Sequence, residues 1–372
     1  MMPLQPPLAM DSSRPHILVL GPARTAVSGV STHLNHLFDS PLSDRFRLSQ
    51  YQVGGEDRVE GKIGALLRVL TSPFDLTARL LRDRPSILHI NTSFHPRSYW
   101  RDLAYLATAK ILRVKVVYQV HGGPFPREFF ASSPVLTALL RRILFWPDVV
   151  VLLSTFHMKA YGDFAPGANL VMLAYGVEVQ DVDLNFERYA ADRPLEVVNI
   201  GRLLEAKGVF DIVEAVRILR SRDIHVRLRF VGSGPAEPTL RRMITETALG
   251  DRITLLDPVF GAAKHELWGS AHVLALPTYS EGLPLALLES MSAGAVPVIT
   301  PVGGIPDVVR DRVHGLFVAP RSPIEVADAL QQLHEDRESL WRMALAGRQR
   351  IVEQYSVTRF TSEFQRLYAT LV

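Results

Sequence analysis

Short apolar runs alternate with amphipathic stretches along most of the chain. HILVLG (16–21), RLSQYQV (47–53), SILHINT (86–92), VKVVYQVHG (114–122) and DVVVLLST (148–155) are rich in Val, Ile and Leu and mostly close on Gly, Ser, Thr or Asn, which predicts buried strands. Between them GVSTHLNHLFDS and SYWRDLAYLATAKILR carry helical periodicity, and strands separated by helices imply a parallel sheet with crossovers. The rhythm restarts after residue 190 with LEVVNIG (195–201), VRLRFVG (226–232), ITLLD (253–257), HVLALP (272–277) and VPVIT (296–300). VEVQDVDLNFERYAADRP, polar, aperiodic and closed by Pro194, separates the two sets. The pattern therefore predicts an α/β chain of two Rossmann-like domains, 1–185 and 186–355. Phe360, Phe364, Leu367, Tyr368 and Leu371 give the tail, 356–372, one apolar helical face. In open α/β sheets ligands collect outside the carboxyl ends of the strands, so two such domains are expected to face a cleft.

Composition narrows the class. At 372 residues the chain is long for one core, and 47% hydrophobic with 21% charged residues is ordinary globular usage. Zero cysteine removes disulfides and thiolate metal sites. The start, MMPLQPPLAMDSSRP, lacks the features of a signal peptide, and no apolar run approaches the ~20 residues of a membrane span. A cytoplasmic protein, free or peripheral on the inner face of the cell membrane, is the expectation. A net charge of +3, with the basic excess in the first half, argues against a nucleic-acid partner.

Four features of the second half fall at strand ends. In NIGRLLEAKGV, Arg202 and Lys207 stand between a strand and a helix start, where a guanidinium and an ammonium suit a diphosphate; the bland alternative is two solvated charges. Lysine is scarce, six residues against thirty-five arginines, which weakens that alternative. In RFVGSGP, Gly232 and Gly234 would let backbone approach a ligand, or simply make a tight turn. In LLDPVFGAAKHELWGSA, Pro258, Val259 and Phe260 offer an apolar edge for a nucleobase, or pack on the core. In TYSEGLPLALLES, Pro284 suits the first turn of a helix whose start leaves amides near Gly282, Leu283 and Leu285 open to an anion. Glu281 precedes that start, and Glu289 lies roughly 7.5 Å beyond Pro284 at about 1.5 Å per residue. A carboxylate only accepts hydrogen bonds, so it suits sugar hydroxyls rather than phosphate. Taken alone, the pair reads equally as a helix-start Glu and an exposed surface Glu; with the other three loops a nucleotide sugar fits the set, one Glu for a hexose, one for a ribose, and amides between for the diphosphate.

These strings, with the run from ELWGSAHVLALPTYSEGLPLALLESMSAGAVPVITPVGGIPDVV to HGLFV, closely resemble retaining glycosyltransferases of the GT-B fold, specifically glycosyltransferase family 4. The likeness is strong over about 195–320, fair in the tail and weaker in the first half. It implies that Arg202 and Lys207 hold the donor diphosphate, that Glu281 contacts the donor sugar and Glu289 the ribose, and that the C-terminal helix crosses back to the N-terminal domain. It further implies that helix-start amides bind phosphate. Pro284 stands where many members have Gly, which leaves Leu283 and Leu285 as donors. SGVSTHL resembles the first-loop glycine of such proteins, matching Gly29, and VYQVHGG the strand ending in a histidine near the reacting carbon, matching His121. A histidine before two glycines is expected to be more exposed than a core histidine. LAYGVEV departs from the family string, with Ala174, Tyr175 and Glu178 replacing three of its residue types.

The resemblance implies transfer of a hexose from a nucleoside diphosphate sugar to an acceptor hydroxyl with retention, in lipid-linked or surface glycan synthesis. No metal or other cofactor is expected, because the one D-x-D string, Asp181 and Asp183, lies in the linker. Segments 62–82 and 134–147, the latter with Leu144, Phe145 and Trp146, mix arginines with apolar residues and suit either an anionic membrane surface near a lipid-linked acceptor or core packing. A dehydrogenase is disfavoured, since LGPARTAVSG is not G-x-G-x-x-G. A sugar-nucleotide epimerase and a non-catalytic nucleotide-sugar-binding partner in a glycan assembly remain alternatives.

Overall fold

The computed structural model describes residues 14–26, 28–55, 61–190 and 194–372. The chain divides into two units, each built on a six-stranded sheet. The first sheet is assembled from β1 (His16–Gly21), α1 (Gly29–Phe38), β2 (Arg47–Gln52), α2 (Lys62–Asp83), β3 (Ile87–Thr92), α3 (Pro96–Ile111), β4 (Lys115–Val120), the short α4 (Pro126–Phe129), α5 (Pro134–Ile143), β5 (Val149–Leu152), α6 (Thr155–Phe164) and β6 (Leu170–Met172). Its order is β2-β1-β3-β4-β5-β6, with parallel pairing from β2 to β5. The second comprises β7 (Leu195–Ile200), α7 (Val209–Ser221), β8 (Val226–Val231), α8 (Glu237–Glu246), β9 (Ile253–Leu256), α9 (Gly261–Ser270), β10 (Val273–Leu276), α10 (Leu285–Ser292), β11 (Val296–Ile299), α11 (Ile305–Val308), β12 (Leu316–Phe317), α12 (Pro323–Glu335) and α13 (Arg337–Gln354), after which most of α14 (Val357–Ala369) returns to the first unit. Its order is β12-β11-β10-β7-β8-β9, parallel throughout.

Every strand expected from an apolar run is present. The two that were not, β6 and β12, are edge strands of three and two residues, too short to show a period. β1, β3 and β5 are buried along their whole length, as continuous apolar runs in a doubly covered sheet require. β2 is only half-buried because it forms an edge. In the second sheet alternation sorts side chains between two layers. Val197 and Val273 join α7 and α12 in one core, while their neighbours Val198 and Leu274 join α10 in the other.

The division of the chain differs from a boundary at 185. Leu153–Lys159 and Met172–Phe360 form the second unit, because Leu153, Tyr175, Val177 and Leu184 are buried in its cores. Thr361–Val372 belongs to the first unit, where Phe364 and Tyr368 are buried and the Tyr368 hydroxyl lies 2.7 Å from His89 Nδ1. Leu144 is core rather than surface, whereas Phe145 and Trp146 are exposed.

Candidate active site

Loops at the carboxyl ends of the second sheet are held together by close backbone contacts. Gly232 and Gly234 are glycines for the sake of the neighbouring loop. A Cβ on Gly232 would lie 1.9 Å from the Gly201 carbonyl oxygen, and one on Gly234 would lie 2.3 Å from that of Leu203. The close approach expected toward a ligand is thus made to the β7–α7 loop, whose position it fixes. Arg202 projects from that loop exposed, with no hydrogen-bond or ion-pair partner among the described residues. Lys207 ends a single 3-10 turn, and Gly208 follows in the left-handed region, tight against the Pro277 carbonyl.

That packing carries Lys207 to Glu281. Its ammonium forms an ion pair with the Glu281 carboxylate, which is nearly buried. The TYSEG segment around Glu281 is tied down from three sides. Tyr279 N–H and the Thr278 hydroxyl both donate to the Ala206 carbonyl, at 2.8 and 3.1 Å. The Tyr279 hydroxyl donates to Asp211 at 2.8 Å while the Arg321 guanidinium covers its ring at 4.5 Å. Burial, with Asp211 accepting that proton, pushes the Tyr279 phenol up to about 12. Tyr175, from the departing LAYGVEV string, is buried in the same core; burial raises its phenol, and the charge of Glu281 raises it further.

The GGIPDVV sequel has a mechanical role. Gly303 lies in the left-handed region with its Cα facing the Glu281 carbonyl, where a Cβ would meet the oxygen at 1.8 Å. Gly304 N–H donates to the Gly282 carbonyl at 2.7 Å. Asp307, in α11, accepts from the Thr155 N–H at 2.6 Å and from its hydroxyl, capping the first turn of α6. The glycine pair therefore clasps the backbone that presents Glu281.

Pro284 is the N-cap of α10, one residue before the helix, so Leu285 is its first residue. Leu283 is buried and Leu285 half-buried in the apolar core, which anchors the helix start by side chains. Among the described residues, none accepts from the amides of Gly282, Leu283 or Leu285. One turn on, Glu289 is nearly buried and takes a 2.7 Å ion pair from Lys264 of α9. Lys264 was not singled out in the sequence, although the scarcity of lysine would have flagged it. Val259 packs against the core, and its neighbour Phe260 is the exposed apolar residue of that loop. Asp183 of the D-x-D string accepts from Asn185, at 3.2 Å from its N–H and 2.9 Å from its side-chain amide.

In the first unit Gly29 opens α1, exposed, after Ser28 as N-cap. The same helix buries His33 with its ring centroid 4.9 Å from that of His121. His121 is buried, contrary to the exposure expected of it, because Gly122 and Gly123 fold the chain back onto Phe94. Phe94 N–H donates to the Gly122 carbonyl at 2.8 Å, and a Cβ on Gly123 would meet the Phe94 oxygen at 2.4 Å. Asn91, also unflagged in the sequence, orients the ring. Its Nδ2 donates to the Leu20 carbonyl at 2.9 Å, so its Oδ1, 2.7 Å from His121 Nε2, must accept. His121 then carries its proton on Nε2. Burial, with nearby His89, holds its pKa down to about 3, so it is a neutral hydrogen-bonding group at physiological pH. His89 is held at about 3 by burial as well, and His33 well below its ordinary value by burial and the neighbouring imidazoles.

Comparison with known proteins gives this geometry a family. The profile described as "Glycosyl transferases group 1" matches residues 181–350. A GDP-mannose-dependent alpha-(1-6)-phosphatidylinositol monomannoside mannosyltransferase of Mycobacterium tuberculosis is 32% identical over 245 residues, 61% of this chain and 63% of the relative's own length. The alpha-D-kanosaminyltransferase of Streptomyces kanamyceticus is 31% identical over 284 residues, 70% of this chain and 72% of that one. Among solved structures, sucrose-phosphate synthase from Thermosynechococcus elongatus superposes with a TM-score of 0.78 at 17% identity, over 96% of this chain and 99% of the other. An Anabaena protein in complex with UDP-glucose gives 0.74 at 16%, over 95% and 99%. The architecture is the GT-B fold, and the chain belongs to the group 1 family of glycosyltransferases.

Proposed function

We propose that the protein transfers a hexosyl group from a nucleoside diphosphate sugar to an acceptor hydroxyl, with retention at the anomeric carbon. The observation that carries the reading is the clasped Lys207–Glu281 pair beside open helix-start amides and an unpartnered Arg202. An ammonium has three N–H donors, so Lys207 can keep Glu281 in place and still donate to phosphate oxygens. Arg202 forks two more. Glu281 has acceptor capacity left for a sugar hydroxyl, and Glu289, held by Lys264, for the ribose. Gly232 serves loop position, and Val259 with Phe260 offers the base an apolar edge; Gly29 and His121, in the first unit, are assigned to donor binding by the family resemblance alone.

The bond from the anomeric carbon to the diphosphate oxygen breaks as the acceptor oxygen bonds on the same face. The acceptor's proton passes to the departing diphosphate, and Arg202 and Lys207 stabilise the negative charge that develops. The two glutamates bind hydroxyls, so no enzyme nucleophile is assigned. No divalent ion is part of the proposal; an unchanged rate in EDTA is expected, and loss of activity restored by Mg²⁺ would overturn that part.

The acceptor proposed is a glycan or a lipid-linked glycan, reached at the cytoplasmic face of a membrane. Support comes from the relatives, among them a transferase named for a phosphatidylinositol monomannoside and another for colanic acid biosynthesis. Among the described residues, no helix is long and apolar enough to cross a membrane. A panel of nucleotide sugars tested by thermal shift checks the donor, since tight binding raises Tm by mass action. Free nucleotide released only when acceptor is present is the expected signature of transfer. Interconversion of nucleotide sugars without acceptor would refute it.

A further inference from the structure

α2 is amphipathic twice over. Its inner face buries Ser72, Leu76 and Leu80. Its outer face is apolar as well: Ile63, Leu67, Leu70, Phe74 and Leu81 recur at spacings of four, three, four and seven, each between 56% and 76% exposed. The stripe runs about 27 Å along the helix at 1.5 Å per residue. Solvent-facing positions of a helix are ordinarily polar, and a contiguous apolar stripe marks a surface that is covered in use.

We infer that this outer stripe of α2 lies in the headgroup region of an anionic bilayer, as an in-plane anchor. The inference rests on the proposed lipid-linked acceptor and deepens it by naming the surface that meets the lipid. Charge selects the occupant. Residues 62–84 carry five basic residues against two aspartates, and Arg82 is largely exposed beside the stripe. A symmetric contact with a second copy would set this basic helix against itself. A planar anionic surface accepts apolar side chains into its acyl boundary while the arginine heads stay among lipid phosphates.

The test is co-sedimentation of the full chain with vesicles of phosphatidylcholine, with and without phosphatidylglycerol. It uses the wild type and the charge-neutral variant Leu67→Gln, Leu70→Gln, Phe74→Gln. The wild type is expected to bind the anionic vesicles, less so at high salt. The variant should lose binding by at least about a hundredfold, since each of the three side chains forfeits a part of its apolar transfer energy. Its Tm should not fall, because these side chains are exposed. Wild-type protein that stays in solution, or a variant that binds equally, overturns the inference. So does a wild-type dimer, seen by light scattering, that the variant makes monomeric without vesicle binding. Donor binding reports separately: vesicle binding by a protein that binds no nucleotide sugar would sink the enzymatic reading and leave the surface standing.

Discussion

Gly303→Ala isolates the backbone clasp from the chemistry of the site. The new methyl would lie 1.8 Å from the Glu281 carbonyl oxygen, whereas ordinary contact begins near 3.4 Å. The two loops must therefore part by more than an ångström. An alanine in the left-handed region adds about 1–2 kcal/mol of strain. No flexible side chain can give way, because the nearest atoms are main-chain atoms of Glu281 and Gly282. Glu281 would then leave Lys207 and the donor sugar, and a misplacement of about 1 Å costs on the order of a hundredfold in rate. Initial rates at saturating acceptor, with thermal unfolding alongside, make the assay. Gly269→Ala is the control: it lies within α9 with nothing within 4 Å of its Cβ. That substitution should leave the rate intact and stabilise by roughly 0.5–1 kcal/mol. A folded Gly303→Ala enzyme with a wild-type kcat/KM would mean that the position of Glu281 does not matter, and the proposed donor site would fall with it.

Three further outcomes are expected. Lys207→Ala should lower kcat by about 10²–10³-fold, the usual cost of removing one stabilising donor from a developing anion; single-turnover rates check it, and an unchanged rate removes Lys207 from the mechanism. Lys264→Ala and Glu289→Ala should each raise the donor KM, by roughly tenfold, with kcat nearly kept. The double variant should be no worse than either alone, because partners in one ion pair are not additive. Finally, burial depresses the folded-state pKa of His33, His89 and His121, so the unfolded chain takes up protons first as pH falls below 6.5. Stability is full above that value and declines toward pH 3, by up to about 1.4 kcal/mol per pH unit for each ring. Urea midpoints at pH 7.5 and 5.0 should show the fall, and His89→Gln should flatten it.

What could be read from the sequence was what lies in local pattern. Val-rich runs such as VVVL in β5 predict buried strands because both sheet faces are covered, and the charged and glycine-bearing loops announce themselves at the strand ends. Pairings across the fold were not legible. Lys264 and Glu289 are twenty-five residues apart, and Asn91 meets His121 across thirty; nothing local marks either pair. The glycines are ambiguous for a physical reason. Gly232 and Gly234 are small to admit neighbouring backbone, which a sequence cannot distinguish from admitting a ligand. His121 was expected exposed from its following glycines, yet those glycines fold the chain over it.

The assignment of Thr361–Val372 to the first unit bears on how the protein is made. Phe364 and Tyr368 cover His89, so the first sheet lacks part of its hydrophobic lining until a segment 279 residues further along has been made. The nascent first unit must wait, with an apolar seam open to chaperones, while the second unit can close on itself some ten residues sooner. Removing Phe364 and Tyr368 would consequently damage the first sheet rather than the second.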